Sequence, residues 1–279
     1  MSHRFTTMLA KASAVATLGA LALAGGASAA SSLPTMRVAL NGARGISISG
    51  APASGAVSFT ATFSGTLPKG AMGAAFGIVR LDPGATIQQA AGAVQSHHGD
   101  LNALDPYASL FVVADAPGTV QSVLTPGNYV ALNLTSNGQP GFAPFTVTQA
   151  SSPAALPKAS QTQAAIEFGF HGPTVLHDGT IVRAENQGYL VHMITFAGVP
   201  NVKAGRKVIA LLKAGKDNAA FKDTNGSFFD LLGPASPGAM QQEVLHAKPG
   251  YYVEACFMDT IDGREHTRLG MERLVRVVK

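Results

Sequence analysis

The sequence predicts an all-β protein built as two tandem Greek-key β-sandwiches with short helical inserts. Three observations carry that expectation. Apolar and β-branched residues alternate in short runs broken by glycine and proline, as in AVSFTATFSG and GNYVALNLTSNG, the period-two pattern of strands with one buried face. Charged residues are only 13% of the chain, against 31 glycines and 16 prolines, a balance that suits strands joined by turns better than amphipathic helices. The order of segments in the first half also recurs in the second.

At the start, Arg4 and Lys11 precede the apolar run AVATLGALALAGG, which closes on the small residues Ala27-Ser28-Ala29. Residues 1–29 are therefore expected to be a secretory signal peptide, with cleavage near Ala29 and a secreted or periplasmic mature chain. No later stretch approaches the roughly 18 apolar residues of a membrane span. The formal charge of +4 includes Arg4 and Lys11. The small remaining excess forms no cluster, so the charge gives no footprint for nucleic acid.

Residues 36–149 are expected to form the first sandwich. MRVALNGARGISISG, AVSFTATFSG and FGIVRL read as strands and turns, and TIQQAAGAVQ (Thr86–Gln95) as a short helix. SLFVVADAPGTVQSVLTPGNYVALNLTSNG gives three more strands, and FAPFTVTQ closes the unit. The Pro/Ala/Ser-rich stretch 150–160 has the composition of an interdomain linker. Residues 161–279 repeat the order. LTPGNYVALNLTSNGQPGFAPFTVTQ aligns with AKPGYYVEACFMDTIDGREHTRLGMERLVRVV, and FGIVRLDPGATIQQAAGAV with HMITFAGVPNVKAGRKVIALLKAG. On this alignment Asn133 takes the place of Cys256, and Phe76 that of His192. The first copy is then expected to hold no metal. In the second half Thr180–Glu185 and Leu190–Phe196 are strands around an Asn186-Gln187-Gly188 turn. AGRKVIALLKAG is an amphipathic helix with Val208, Ile209, Leu211 and Leu212 on its apolar side.

The residues with chemistry lie near the end. Cys256, the single cysteine, sits in the apolar run YYVEACF; Asp262-Gly263 marks a turn, and His266 and Met271 follow. In an oxidising compartment a lone cysteine has no internal disulfide partner, so it is either buried and inert or bound to something. Thiolate, imidazole and thioether are soft ligands that copper prefers, and two histidines, a cysteine and a weak axial methionine make a blue-copper donor set. A further histidine, His192, lies on an earlier strand. His97-His98 with Asp100 are near neighbours on one loop and converge poorly on an ion, His171 and His177 read as turn residues, and His246 as exposed. There is no G-x-S-x-G, H-E-x-x-H or phosphate-cradling glycine loop, so a hydrolase or nucleotide enzyme has no support.

GTIVRAENQGYLVHMITF, followed by PGYYVEACF and then His266 and Met271, resembles the cupredoxin family of plastocyanin-like proteins. The likeness covers most of 174–278 and, weakly, the copy in the first half. It implies a single copper ion held by His192, Cys256, His266 and Met271, and a role in electron transfer or copper handling with a redox partner protein. The four residues between His266 and Met271 match the family's usual spacing. The nine between Cys256 and His266 are more than plastocyanin-like loops have. Because catalysis in the family generally involves further copper centres, for which the sequence offers no histidine cluster, the resemblance implies a protein that is not an enzyme. The other reading of the same residues is a metal-free extracellular binding or structural module with Cys256 as a buried strand residue.

Overall fold

A computed structural model describes residues 33–279 except 72 and 137; the expected signal peptide lies outside the described residues. The first half contains β1 (Thr35–Asn41), β2 (Gly45–Ser49), β3 (Gly55–Ser64), β4 (Ala74–Leu81), helix α1 (Ile87–Ser96), β5 (Ala108–Ala116), β6 (Gly118–Leu124), β7 (Gly127–Asn133) and β8 (Gly141–Val147). The second contains β9 (Gln161–Ile166), β10 (Gly169–His171), β11 (Val175–His177), β12 (Ile181–Asn186), β13 (His192–Val199), helices α2 (Val202–Lys213) and α3 (Asp217–Lys222), β14 (Phe228–Ala235), β15 (Met240–Val244), β16 (Gly250–Ala255) and β17 (Glu272–Val278).

The chain is all-β, two tandem β-sandwiches, and the strand order shows the duplication directly. In the first half β2-β1-β3-β6 faces β5-β4-β7-β8; in the second β10-β9-β12-β15 faces β14-β13-β16-β17, with β11 added beside β17. The parallel pair β1/β3 recurs as β9/β12. The helical insert between β4 and β5 recurs between β13 and β14. Each half also has a tyrosine whose hydroxyl donates to the carbonyl four residues upstream, Tyr129 to Thr125 (3.0 Å) and Tyr252 to Lys248 (2.7 Å). Such a corner pins the turn that enters the central strand. It explains why Pro-Gly-x-Tyr stands at the same place in both copies.

The halves are not joined by a free tether. β6 pairs with β15 at Gln121 and Gln242, which makes one eight-stranded sheet across both units. Ser122 Oγ donates to the Met240 carbonyl (2.6 Å) and Gln242 Nε2 to Gln121 Oε1 (3.0 Å). Segment 150–160 is tied on both sides, since Ala154 O accepts from Ala56 N (2.8 Å) and Pro157 O from Gln242 Nε2 (3.0 Å).

Alternation places Met36, Val38 and Leu40 of β1 inside with Phe59, Phe76 and Tyr129, while the second core gathers Phe196, Leu232 and Val253. Each such side chain contributes about 1.5–3 kcal/mol by leaving water. β13 breaks the alternation because all eight of its residues are buried. It runs between β14 and β16, and α2 packs Val208 and Leu212 into the same core. Asn201 caps α2 by accepting from Ala204 N (3.0 Å). Gly205 lets the helix approach, since a Cβ there would lie 2.4 Å from Leu274 Cδ1. In the first half, α1 is started by a reciprocal Thr86–Gln89 capping box.

The tyrosine corners fix how the copies align. Asn133 and Cys256 each lie four residues beyond the corner tyrosine, as the sequence suggests. Across the sheet, however, Phe76 faces Asn133, and in the second copy the register from Thr195↔Ala255 sets Ile194 opposite Cys256. His192 therefore matches Ala74, two residues from the expected Phe76. Likeness of sequence does not fix this offset; the pairing of β4 with β7 and of β13 with β16 does.

Candidate metal centre

His192 opens β13, and Cys256 follows the last residue of β16 on the antiparallel neighbour, so pairing alone brings them to one end of the sandwich. The backbone N–H of Met193 donates to Cys256 Sγ (3.3 Å). His266 must return across the nine residues after Cys256, and local hydrogen bonds close that distance. His266 N donates to Met258 O (2.8 Å), Asp259 bridges Glu265, Thr260 N donates to Arg264 O (2.9 Å) and Gly263 N to Thr260 O (2.8 Å). Residues 259–265 thus form a small hairpin that leaves and rejoins the loop at nearly one point. At its tip Gly263 takes φ +79°, a left-handed value that a side chain resists. With the hairpin set aside, only Phe257 and Met258 separate Cys256 from His266. A short 3-10 turn, His266–Leu269, then leads through Gly270 to Met271. Met271 is fully buried; its N–H donates to His266 O (3.1 Å) and its carbonyl accepts from Cys256 N (3.2 Å).

The structure brings His192, Cys256 and His266 together, all fully buried. His192 Nδ1 lies 3.1 Å from His266 Nδ1 and 3.7 Å from Cys256 Sγ, and His266 Nδ1 lies 3.3 Å from the sulfur. A point equidistant from the three atoms is about 2.0 Å from each, against about 2.0–2.1 Å for a metal–imidazole bond and about 2.3 Å for a metal–thiolate bond. One proton can satisfy only one of these three contacts. A soft cation satisfies them all, so the donor set fits a copper ion. His97 and Asp100 form no comparable group with a third ligand among the described residues.

Burial sets the protonation of the site. Desolvation pushes the Cys256 thiol up to about 12, outweighing the N–H groups of Met193 and Met258 that favour the thiolate. Desolvation and then the neighbouring His192 hold His266 down to about 3. His192 is also lowered, because desolvation exceeds the opposing effect of Glu167. At neutral pH both rings are therefore neutral and the sulfur carries its proton. A metal ion bound here would be held by two neutral imidazoles and by the Cys256 sulfur freed of its proton.

Three residues with no sequence signal surround this centre. Glu167, in the β9–β10 turn, accepts from Leu190 N (3.0 Å) and Tyr189 N, and its Oε1 stands 3.5 Å from His192 Nε2. Desolvation raises the Glu167 carboxyl, but the backbone N–H groups and His192 more than offset it, so it sits below its usual value. A carboxylate facing Nε2 favours the proton on that nitrogen and leaves the Nδ1 lone pair aimed at the centre. Gly188 makes this approach feasible, since a Cβ there would lie 2.5 Å from Glu167 Oε1 and 2.8 Å from His192 Nε2. Phe168 sets its ring against His266, with centroids 5.2 Å apart at 70°. The third, Asn102, comes from the first half: its Oδ1 accepts from Val191 N (2.7 Å) and its Nδ2 donates to Asp259 O (3.0 Å). Where the second copy has its sulfur, the first has Asn133, whose amide donates to Gly42 O (3.2 Å) and Gly45 O (2.8 Å).

No protein-family model and no curated protein matches the chain. Among solved structures it is similar to a dithionite-reduced auracyanin from Roseiflexus castenholzii at 18% identity, over 44% of this chain and 100% of that one, with a TM-score of 0.27. It is also similar to a copper-containing nitrite reductase from Thermus scotoductus at 11% identity, over 88% of this chain and 61% of that one, with a TM-score of 0.24. A multicopper oxidase from Campylobacter jejuni is similar at 12% identity, over 80% of this chain and 53% of that one, with a TM-score of 0.23. These findings correct the expectation that the protein is not an enzyme. The solved structures it is similar to include a nitrite reductase and multicopper oxidases.

Proposed function

We propose that the chain is a secreted copper protein in which His192 Nδ1, Cys256 Sγ and His266 Nδ1, with Met271 as a weak thioether donor, would hold one ion, and that it serves electron transfer or copper handling with a redox partner protein. The observation that carries this reading is the convergence of two imidazole nitrogens and one thiol sulfur on a single buried point. Copper, when bound, supplies a one-electron change of state. The chain supplies the rest: β13 and β16 fix His192 and Cys256 by strand pairing, and the hairpin and 3-10 turn fix His266. Burial excludes water, and Met193 N–H on the sulfur draws charge from the thiolate. No described helix is long and apolar enough to cross a membrane.

Adding copper(II) to the purified chain should produce one equivalent of tightly bound metal and an intense visible thiolate-to-copper band, both lost in Cys256→Ser. A colourless protein with no retained copper would leave Cys256 as an inert core residue.

A further inference from the structure

The first half has no metal ligands at the matching positions, yet its helical insert reaches the second half's centre. Asn102 sits in the 3-10 turn Leu101–Leu104 that follows α1. Its amide makes three hydrogen bonds: Oδ1 accepts from Val191 N (2.7 Å), and Nδ2 donates to Asp259 O (3.0 Å) and Asp100 Oδ1 (2.7 Å). Val191 immediately precedes His192. Asp259 follows Met258, the residue whose carbonyl receives His266 N. One side chain therefore links the backbone carrying one imidazole to the base of the hairpin carrying the other.

The insert holds that amide in place. Asp100 caps the turn by accepting Asn102 N (2.8 Å), and Leu101 packs against both the insert's own apolar cluster and the second core. Asp100 and Asn102 also line a cavity of about 460 Å³ between the insert and the hairpin tip, together with His97, Asp105, Tyr107 and Ile261. On this side the amide ties the insert directly to the base of the hairpin. Only a group that both accepts and donates can bridge an N–H and a carbonyl in this way.

We infer that Asn102 is a positioning residue for the copper centre: the metal-free copy contributes the clamp that sets the spacing between His192 and His266. This rests on the copper reading above. Holding ligands through surrounding hydrogen bonds changes metal affinity by about 10–100-fold when such a partner is removed. A clamp that favours one oxidation state tenfold over the other shifts the potential by about 59 mV.

The test uses the whole chain loaded with copper(II), comparing wild type with Asn102→Asp and Asn102→Leu. Asn102→Asp keeps the size and the acceptor to Val191 but loses the donor to Asp259, so it decides the matter even where Asn102→Leu does not fold. Expected are near-native circular dichroism, copper binding weakened about tenfold or more, an altered electron paramagnetic resonance signature, and a shift of reduction potential on the order of 59 mV for a tenfold bias. Thermal stability lowered with affinity, signature and potential unchanged would overturn the inference while leaving the copper reading intact. A wild type that takes up no copper would overturn both.

Discussion

Glu167→Gln isolates the carboxylate beside His192 with little disturbance of the fold, because the amide oxygen can still accept from Tyr189 and Leu190 N–H. Two full charges 3.5 Å apart at an effective dielectric of about 20 would interact by about 5 kcal/mol. That is a ceiling, since the His192 ring is neutral and offers only an N–H. Removing a carboxylate that faces a ligating histidine typically lowers metal affinity 10–100-fold, about 1.4–2.7 kcal/mol. Competition against a chelator of known affinity at pH 7 should show Glu167→Gln binding copper about 10–100-fold more weakly than wild type. Gly188→Ala should do the same by a different route, since its methyl would sit 2.5 Å from Glu167 Oε1 and 2.8 Å from His192 Nε2. Equal copper affinity in wild type and Glu167→Gln would refute the idea that this carboxylate orients His192.

Two pH effects follow from the buried groups. The Cys256 thiol is pushed up to about 12 while both histidines are held neutral, so copper must displace about one proton, the thiol's. Calorimetry in buffers of different ionisation enthalpy should find that release at pH 7–8, with apparent affinity rising about tenfold per pH unit; binding without proton release would contradict the assignment of Cys256. The second effect concerns stability without metal. Burial raises Asp230 to about 7 and Glu243 to about 8, so above pH 5 the folded state keeps protons that the unfolded chain has released, and stability falls as pH rises toward 8. The lowered histidines act oppositely, but only below their unfolded value of about 6.5. Melting temperature should therefore drop between pH 6.5 and 8.5, and Asp230→Asn with Glu243→Gln should flatten that drop; an unchanged slope in the double variant would rule these two groups out.

The fold was largely legible because its signals are local. Pro-Gly-x-Tyr marks both corners since the tyrosine bonds a carbonyl only four residues away, and Thr86 with Gln89 announces α1. The alignment of Asn133 with Cys256 follows from that corner. The alignment of Phe76 with His192 is out by two residues because likeness of sequence does not fix the register between neighbouring strands. The cluster of His192, Cys256 and His266 was legible as a residue set. What the nine-residue count concealed was the pairing of Met258 with His266, which turns most of the span into a hairpin. Glu167 and Asn102 were illegible for a plainer reason. Each reaches the centre from a distant segment, and a lone Glu in IEFG or a lone Asn in DLNAL has no neighbour in sequence that hints at its target.

The most direct measurement is anomalous diffraction at the copper edge from crystals of the copper-loaded chain. One dominant peak is expected, within about 2.0–2.3 Å of His192 Nδ1, His266 Nδ1 and Cys256 Sγ. A peak at another histidine, or no peak between these three atoms in protein that carries copper, would contradict the assignment of the centre.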